Sequence, residues 1–250
     1  MAGRGRRFAT TGETGPKPLI EVLHRKRMIE YVIDYLTLRE PHRFIFICLE
    51  KHAQAFDFHS FFRARTRGNY HLLLVQTVTR GPAATAVLAK DFIDNSSELL
   101  ISYCDSFFTF EPADFLAHCR ESKADGALIA YPASSAMEGY AQIDGDGWVL
   151  RTAEKEIISR TAAAGLYYFM QGSDFVAAAI QMLAISSNGK ELFVCPVFNE
   201  LIRKRKRVTS FPITREQRVE MGTPDDLSRS RDWLLQQEIN VTPGGTARCG

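Results

Sequence analysis

The sequence predicts an α/β fold, with a mostly parallel mixed sheet flanked by helices. Two observations carry that prediction. Apolar strand-like runs alternate with helix-period segments along most of the chain, and strands separated by helices of that length imply βαβ units. The balance of 45% hydrophobic and 24% charged residues over 250 positions is ordinary for a globular chain, and a domain of that size buries enough surface to fold without covalent or metal staples.

Met28, Val32, Tyr35 and Leu36 fall on one helical face. Phe44 to Leu49 reads as a buried strand, and so do His71 to Val75, Leu99 to Tyr103 and Gly126 to Tyr131. A helix is expected from about Ala83 to Ile93. Around Tyr140 the pattern changes. Tyr140 to Ile143, the turn Asp144-Gly145-Asp146-Gly147, and Trp148 to Thr152 read as a β-hairpin. Gly165 to Met170 is a further strand, and Ser173 is placed to cap a helix with Phe175, Ala179, Met182 and Leu183 on its inner face. Leu192 to Arg203 is helical in its second half, Val208 to Ile213 is a strand, and Thr223-Pro224 opens a final helix to about Gln237. No repeat or linker interrupts this order. Residues 1–237 therefore read as a single domain and 238–250 as a loose tail.

Composition also excludes function classes. The formal net charge is only +2, so the chain as a whole is no polyanion binder, and any anion site is local. The basic run Arg203 to Arg207 lies where a helix ends and a strand begins, and reads as a solvated turn rather than a nucleic-acid patch. Cys48, Cys104, Cys119, Cys195 and Cys249 are odd in number and lack a C-x-x-C pair, which argues against disulfides and structural zinc and for a reducing, cytoplasmic setting. No apolar stretch follows the basic start, and the longest apolar runs are far too short to cross a bilayer. The six histidines are scattered, without metal-ligand spacing.

The segment Met1 to Val22 carries the most chemistry. Glycines alternate in Ala2-Gly3-Arg4-Gly5-Arg6-Arg7, which allows backbone N–H groups to approach a phosphate that a Cβ would hold off. Arg7 adds a forked donor suited to phosphate oxygens. Lys17 stands between Pro16 and Pro18, whose rings hold the backbone extended and limit where the ammonium group reaches. Asp105 follows the strand Leu99 to Tyr103, and the carboxyl end of a parallel strand is where α/β sheets place ligand contacts.

The run AGRGRRF, then PKPLIEV and Lys26-Arg27-Met28-Ile29-Glu30, resembles the start of the sugar nucleotidyltransferase family. The similarity continues through Val75-Gln76-Thr77, Arg80-Gly81-Pro82-Ala83, Leu99 to Phe108, Ala153-Glu154-Lys155, Gly165 to Phe169, Cys195 to Glu200 and Met221-Gly222-Thr223-Pro224-Asp225-Asp226-Leu227. The resemblance implies a Rossmann-like sheet, with the β-hairpin region serving the acceptor. It also implies transfer of a nucleotidyl group from a nucleoside triphosphate to a sugar 1-phosphate, with loss of pyrophosphate, in nucleotide-sugar and polysaccharide biosynthesis. Arg7 and Lys17 would be catalytic, stabilising charge at the α-phosphate. Ala2, Gly3, Gly5, Gln76 and Gly81 would bind the nucleotide, and Gly81 would let the base lie against backbone. Tyr140, Glu154, Lys155 and Gly165 would bind the acceptor. Asp105 and Glu220 would hold Mg²⁺, which bridges phosphate oxygens and offsets their charge.

Two departures from the family pattern stand out. Relatives place a hydrophobic strand just before the glycine loop, whereas this sequence opens at Met1-Ala2-Gly3, so a strand encoded upstream is expected. The usual proline after the acceptor lysine is Glu156, a charge unfavourable near a phosphate unless it points away. These departures leave open a non-catalytic relative that binds nucleotide or sugar phosphate. A glycosyltransferase fits less well, since its Asp-x-Asp is here Asp105-Ser106-Phe107. The base, the acceptor and the oligomeric state, homo-oligomer included, are left open.

Overall fold

The computed structural model describes Phe8, residues 15–186 and residues 189–241. It opens with a small hairpin, β1 (Glu21–Leu23) and β2 (Lys26–Arg27), leading into α1 (Met28–Tyr35). The Glu30 carboxylate accepts from the Arg27 N–H at 2.8 Å and fixes the first turn of α1, as the acidic half of a capping box does. Met28, Ile29, Val32 and Ile33 form its buried face.

Next come β3 (Phe44–Leu49), α2 (Glu50–Ala53), α3 (Phe58–Arg65) and β4 (Tyr70–Val75). The strands β3 and β4 run parallel in register from Phe44 opposite Tyr70 to Leu49 opposite Val75. The helix expected over Ala83–Ile93 is broken into α4 (Pro82–Val87) and α5 (Lys90–Ile93). Leu88 N–H bonds Thr85 C=O and Ala89 N–H bonds Ala86 C=O, and such i→i+3 bonds tighten and end the first segment.

The chain then forms β5 (Leu99–Ser102), β6 (Ser106–Phe108), α6 (Pro112–Glu121), β7 (Gly126–Pro132), β8 (Gly139–Ile143), β9 (Val149–Glu154) and β10 (Thr161–Phe169). The hairpin β8–β9 is the one read from the sequence, with Tyr140 opposite Ala153. The last elements are α7 (Gly172–Ile185), α8 (Phe198–Arg203), β11 (Val208–Pro212), β12 (Arg218–Glu220) and α9 (Pro224–Val241).

Two boundaries differ from the sequence reading. Helix α7 begins at Gly172, ahead of Ser173, because the carbonyls of Ser97 and Asn95 accept from the Gly172 and Ser173 N–H groups. Neighbouring backbone satisfies donors that a side-chain cap would otherwise serve. Helix α9 runs past Gln237 to Val241. Leu234 packs on the core, and Glu238 pairs with His24 one turn further on. The expected tail boundary at 238 thus falls inside a helix, and residues 242–250 lie outside the described ones.

The main sheet is mixed, in the order β11-β7-β10-β8-β9, with β5 also on β10. Pairing is parallel between β7 and β11 and antiparallel around β10. Helices cover both of its faces, so β10 is apolar throughout instead of alternating. Ala163, Tyr167 and Phe169 enter one core, and Ala162, Ala164, Leu166 and Tyr168 enter the other. Burying a ring such as Phe169 contributes about 2 kcal/mol. Among the described residues β3 pairs only with β4, and β5 only with β10. Residues of both strands line one cleft of about 2230 Å³.

Candidate active site

Lys17 lies in a 3₁₀ turn, Lys17–Leu19, between its two prolines. Its Nζ donates to Asp105 Oδ2 at 2.5 Å and to the Gly222 carbonyl at 2.8 Å. An ammonium group has three donors. Two are used here, and the side chain is only 16% exposed. The Phe8 ring lies 5.5 Å from the same nitrogen.

Asp105 is held between β5 and β6, where its carbonyl accepts from the Met221 N–H at 2.8 Å. Strand β12 pairs with β6, with Glu220 opposite Ser106. Both expected metal carboxylates, Asp105 just before β6 and Glu220 at the end of β12, line the same cleft. Among the described residues no group of three or more ligating side chains forms a preformed cation cage. Two carboxylates completed by substrate phosphates are, however, the donor set that Mg²⁺ takes.

The short sequence Arg218-Val219-Glu220 alternates, so Val219 enters the core while its charged neighbours face the cleft. Arg218 Nη2 pairs with Glu220 Oε1 at 2.8 Å, and Nη1 donates to the Tyr131 hydroxyl at 2.5 Å and meets Glu138 at 3.5 Å. Burial alone would lower the Arg218 pKa, but Glu220, Tyr131, Glu138 and Asp105 outweigh it and raise it. Burial pushes the Glu220 pKa up against the pull of Arg218. Arg218, Tyr131 and Glu138 were missed in the sequence. The charged-apolar-charged alternation at 218–220 was the available signal.

Glu154, Lys155 and Gly165 also line the cleft, with the Gly165 carbonyl accepting from the Tyr103 N–H just past the end of β5. Glu154 has its pKa raised to about 7, mainly by burial, with Lys155 opposing. Lys155 sits at φ 56° just after β9, with its N–H on the Glu138 carbonyl at 2.9 Å. Gly165 has φ 86°, and a Cβ there would meet the Tyr103 ring at 2.9 Å. Glu156 points away from the cleft. It is 65% exposed and pairs with Arg151 at 3.2 Å.

Other expected residues fall differently. Gly81 lines the cleft at φ 134°. The space that its missing Cβ leaves is filled by Leu192 backbone, whose oxygen is 2.5 Å from the ideal Cβ position. The glycine is thus required by a chain crossing, whatever ligand lies near. Gln76 is exposed just beyond β4, and Tyr140 is fully buried with its hydroxyl on the Ser135 carbonyl at 2.9 Å. Neither is among the residues lining the cleft. Tyr140 braces the loop before β8 because its ring is drawn into the sheet core. Ala2, Gly3, Gly5 and Arg7 lie outside the described residues.

A family model for nucleotidyl transferase matches residues 1–237. The solved structure of a nucleoside-diphosphate-sugar pyrophosphorylase from Vibrio cholerae RC9 is 26% identical, with a TM-score of 0.76 over 92% of this chain and 97% of that one. An inositol-1-phosphate CTP transferase from T. maritima is 16% identical, with a TM-score of 0.74 over 96% of this chain and 95% of that one. A UDP-glucose pyrophosphorylase complexed with UDP-glucose is 13% identical, with a TM-score of 0.73 over 94% and 96%. The two lower likenesses show the fold alone. Among curated proteins none matches the chain by sequence. With residues 1–237 of its 250 matched, the chain belongs to the nucleotidyl transferase family.

Proposed function

We propose that the cleft joins a nucleoside triphosphate to a sugar 1-phosphate. An oxygen of the acceptor phosphate forms a bond to the α-phosphorus, the bond from that phosphorus to the bridging oxygen breaks, and pyrophosphate leaves. The observation that carries this reading is the meeting of Lys17 with Asp105 at 2.5 Å, in the same cleft as Glu220, Glu154 and Lys155. Phosphoryl-type transfer needs mainly positioning and cationic stabilisation. The third Lys17 donor is available to an α-phosphate oxygen. Arg7 supplies the second cation in this scheme.

Asp105 and Glu220 would hold Mg²⁺, which would supply charge neutralisation to the phosphates. Ionised Glu154 accepts hydrogen bonds from sugar hydroxyls, and Lys155 pairs with the acceptor phosphate. The loop at Gly81 borders the nucleotide. No helix among the described residues is long and apolar enough to cross a membrane. Cys104, Cys119 and Cys195 are free thiols, which fits a reducing compartment such as the cytoplasm.

The direct test incubates the chain with each triphosphate and a panel of sugar 1-phosphates, with Mg²⁺ or with chelator, and measures pyrophosphate. Release that needs one triphosphate, one acceptor and the cation is the expected result. Silence across the whole panel from folded protein counts against the reading.

A further inference from the structure

Between α7 and α8 residues 189–194 form a strap beside the cleft that touches the Arg80–Ala83 loop and Lys155. Burial alternates along it. Leu192 and Val194 are buried at 4% and 0%, while Glu191 and Phe193 line the cleft, as an extended backbone dictates. The apolar residues anchor the strap to the core, and the intervening ones face the cleft.

The strap is tied to one side by its backbone. Leu192 N–H donates to Arg80 C=O at 2.7 Å, and Leu192 C=O accepts from Ala83 N–H at 3.0 Å. These two bonds straddle Gly81, whose lack of a Cβ permits the approach. It is tied to the other side by side chains. Glu191 Oε2 lies 3.3 Å from Lys155 Nζ, and the same ammonium stands 4.5 Å from the centre of the Phe193 ring, within cation–π range. The nucleotide loop and the acceptor lysine come from different parts of the chain, and this segment joins them.

We propose that Glu191 and Phe193 are positioning residues: they hold the Lys155 ammonium against the strap, so that nucleotide bound at the Arg80–Ala83 loop orders the lysine for the acceptor phosphate. A long lysine side chain loses rotamer freedom when it is fixed. If the first ligand has already ordered it, the second binds tighter. The two ligands then bind with positive coupling, which linkage makes reciprocal. The proposal rests on the reading of the cleft given above.

The test uses the full chain and calorimetry. The probes are the sugar 1-phosphate active in the pyrophosphate assay and the α,β-methylene analogue of its triphosphate. In the unaltered protein the analogue should tighten sugar phosphate binding by about five-fold or more. In the double variant Glu191→Gln with Phe193→Leu that ratio should fall to about one, while the affinity for the analogue alone stays within about two-fold. Glu191→Asp with Phe193→Tyr, which keeps the charge and the ring, should restore the ratio. A mere packing role would leave the ratio alone in the double variant. A double variant with the unaltered ratio, or an unaltered protein that binds both probes with a ratio near one, overturns the proposal alone. An unaltered protein that binds neither probe overturns the reading of the cleft as well.

Discussion

Two clusters of charge face the same cleft from different elements, and they are built differently. In one, Arg120 on α6 clasps Glu40 and Glu98, which precede β3 and β5. Its Nε, Nη1 and Nη2 make four bonds of 2.6–2.9 Å to the two carboxylates, and Tyr168 donates to Glu98 as well. Hydrogen bonds to Arg120 hold the pKa of both glutamates below the usual range. The pairs are exposed, and four of the five Arg120 N–H donors are used. In the other cluster burial is greater, and it pushes the Glu220 pKa up. Charge paired in water joins elements, whereas charge held out of water in a cleft acts more strongly on a ligand.

That contrast can be broken most sharply at Asp105. Asp105→Asn removes the charge of the proposed metal anchor while keeping its shape, and kcat should fall by about 10²-fold or more, measured as pyrophosphate release. Near-normal turnover would place Asp105 with Glu40 and Glu98 as a structural charge. The next largest effect is expected at Gly81. Alanine there faces Leu192 backbone at 2.5 Å with φ 134°. The cost should be about 1–3 kcal/mol in chemical denaturation, with weakened triphosphate binding, and an unchanged midpoint would mean that the strap yields freely.

Glu154 sharpens the comparison through pH. Its carboxyl pKa is raised from 4.5 to about 7 by burial. Protonation therefore stabilises the folded state below the unfolded value, and that contribution is lost as pH rises through about 7. Ionisation meanwhile favours sugar hydroxyls, so the acceptor KM should fall from about pH 6 to about pH 8. Glu154→Gln should flatten that profile and gain stability relative to the native protein at high pH. Parallel profiles for the two proteins would remove the residue from acceptor binding. The smallest effect belongs to Arg120→Ala. Because the cluster is exposed, the loss should be below about 1 kcal/mol with kcat intact, and a large drop in kcat would erase the distinction between the clusters.

Much of this was legible beforehand for local reasons. The β3 and β5 runs, the β8–β9 hairpin and the start of α9 follow from periodicity and turn residues within one short window. Lys17 and Asp105 could be singled out because prolines and a strand end mark their positions. The α4–α5 break and the early start of α7 were not legible, since each depends on which backbone groups find partners. Arg218 escaped because a three-residue strand carries little pattern; that Gln76 and Tyr140 stand outside the cleft lining was not legible, because a motif does not say which way a side chain turns.

By itself the sequence determined the α/β class, most of the elements and the chemical types gathered for an anion. Only the tertiary structure decided that Lys17 meets a carboxylate 88 positions away and a carbonyl 205 positions away, and that Gly81 is spared a Cβ for the sake of Leu192. Helix and strand preferences act over a few residues, through backbone sterics and side-chain period. Convergence at a site is set by packing between distant segments, and no local window contains that information.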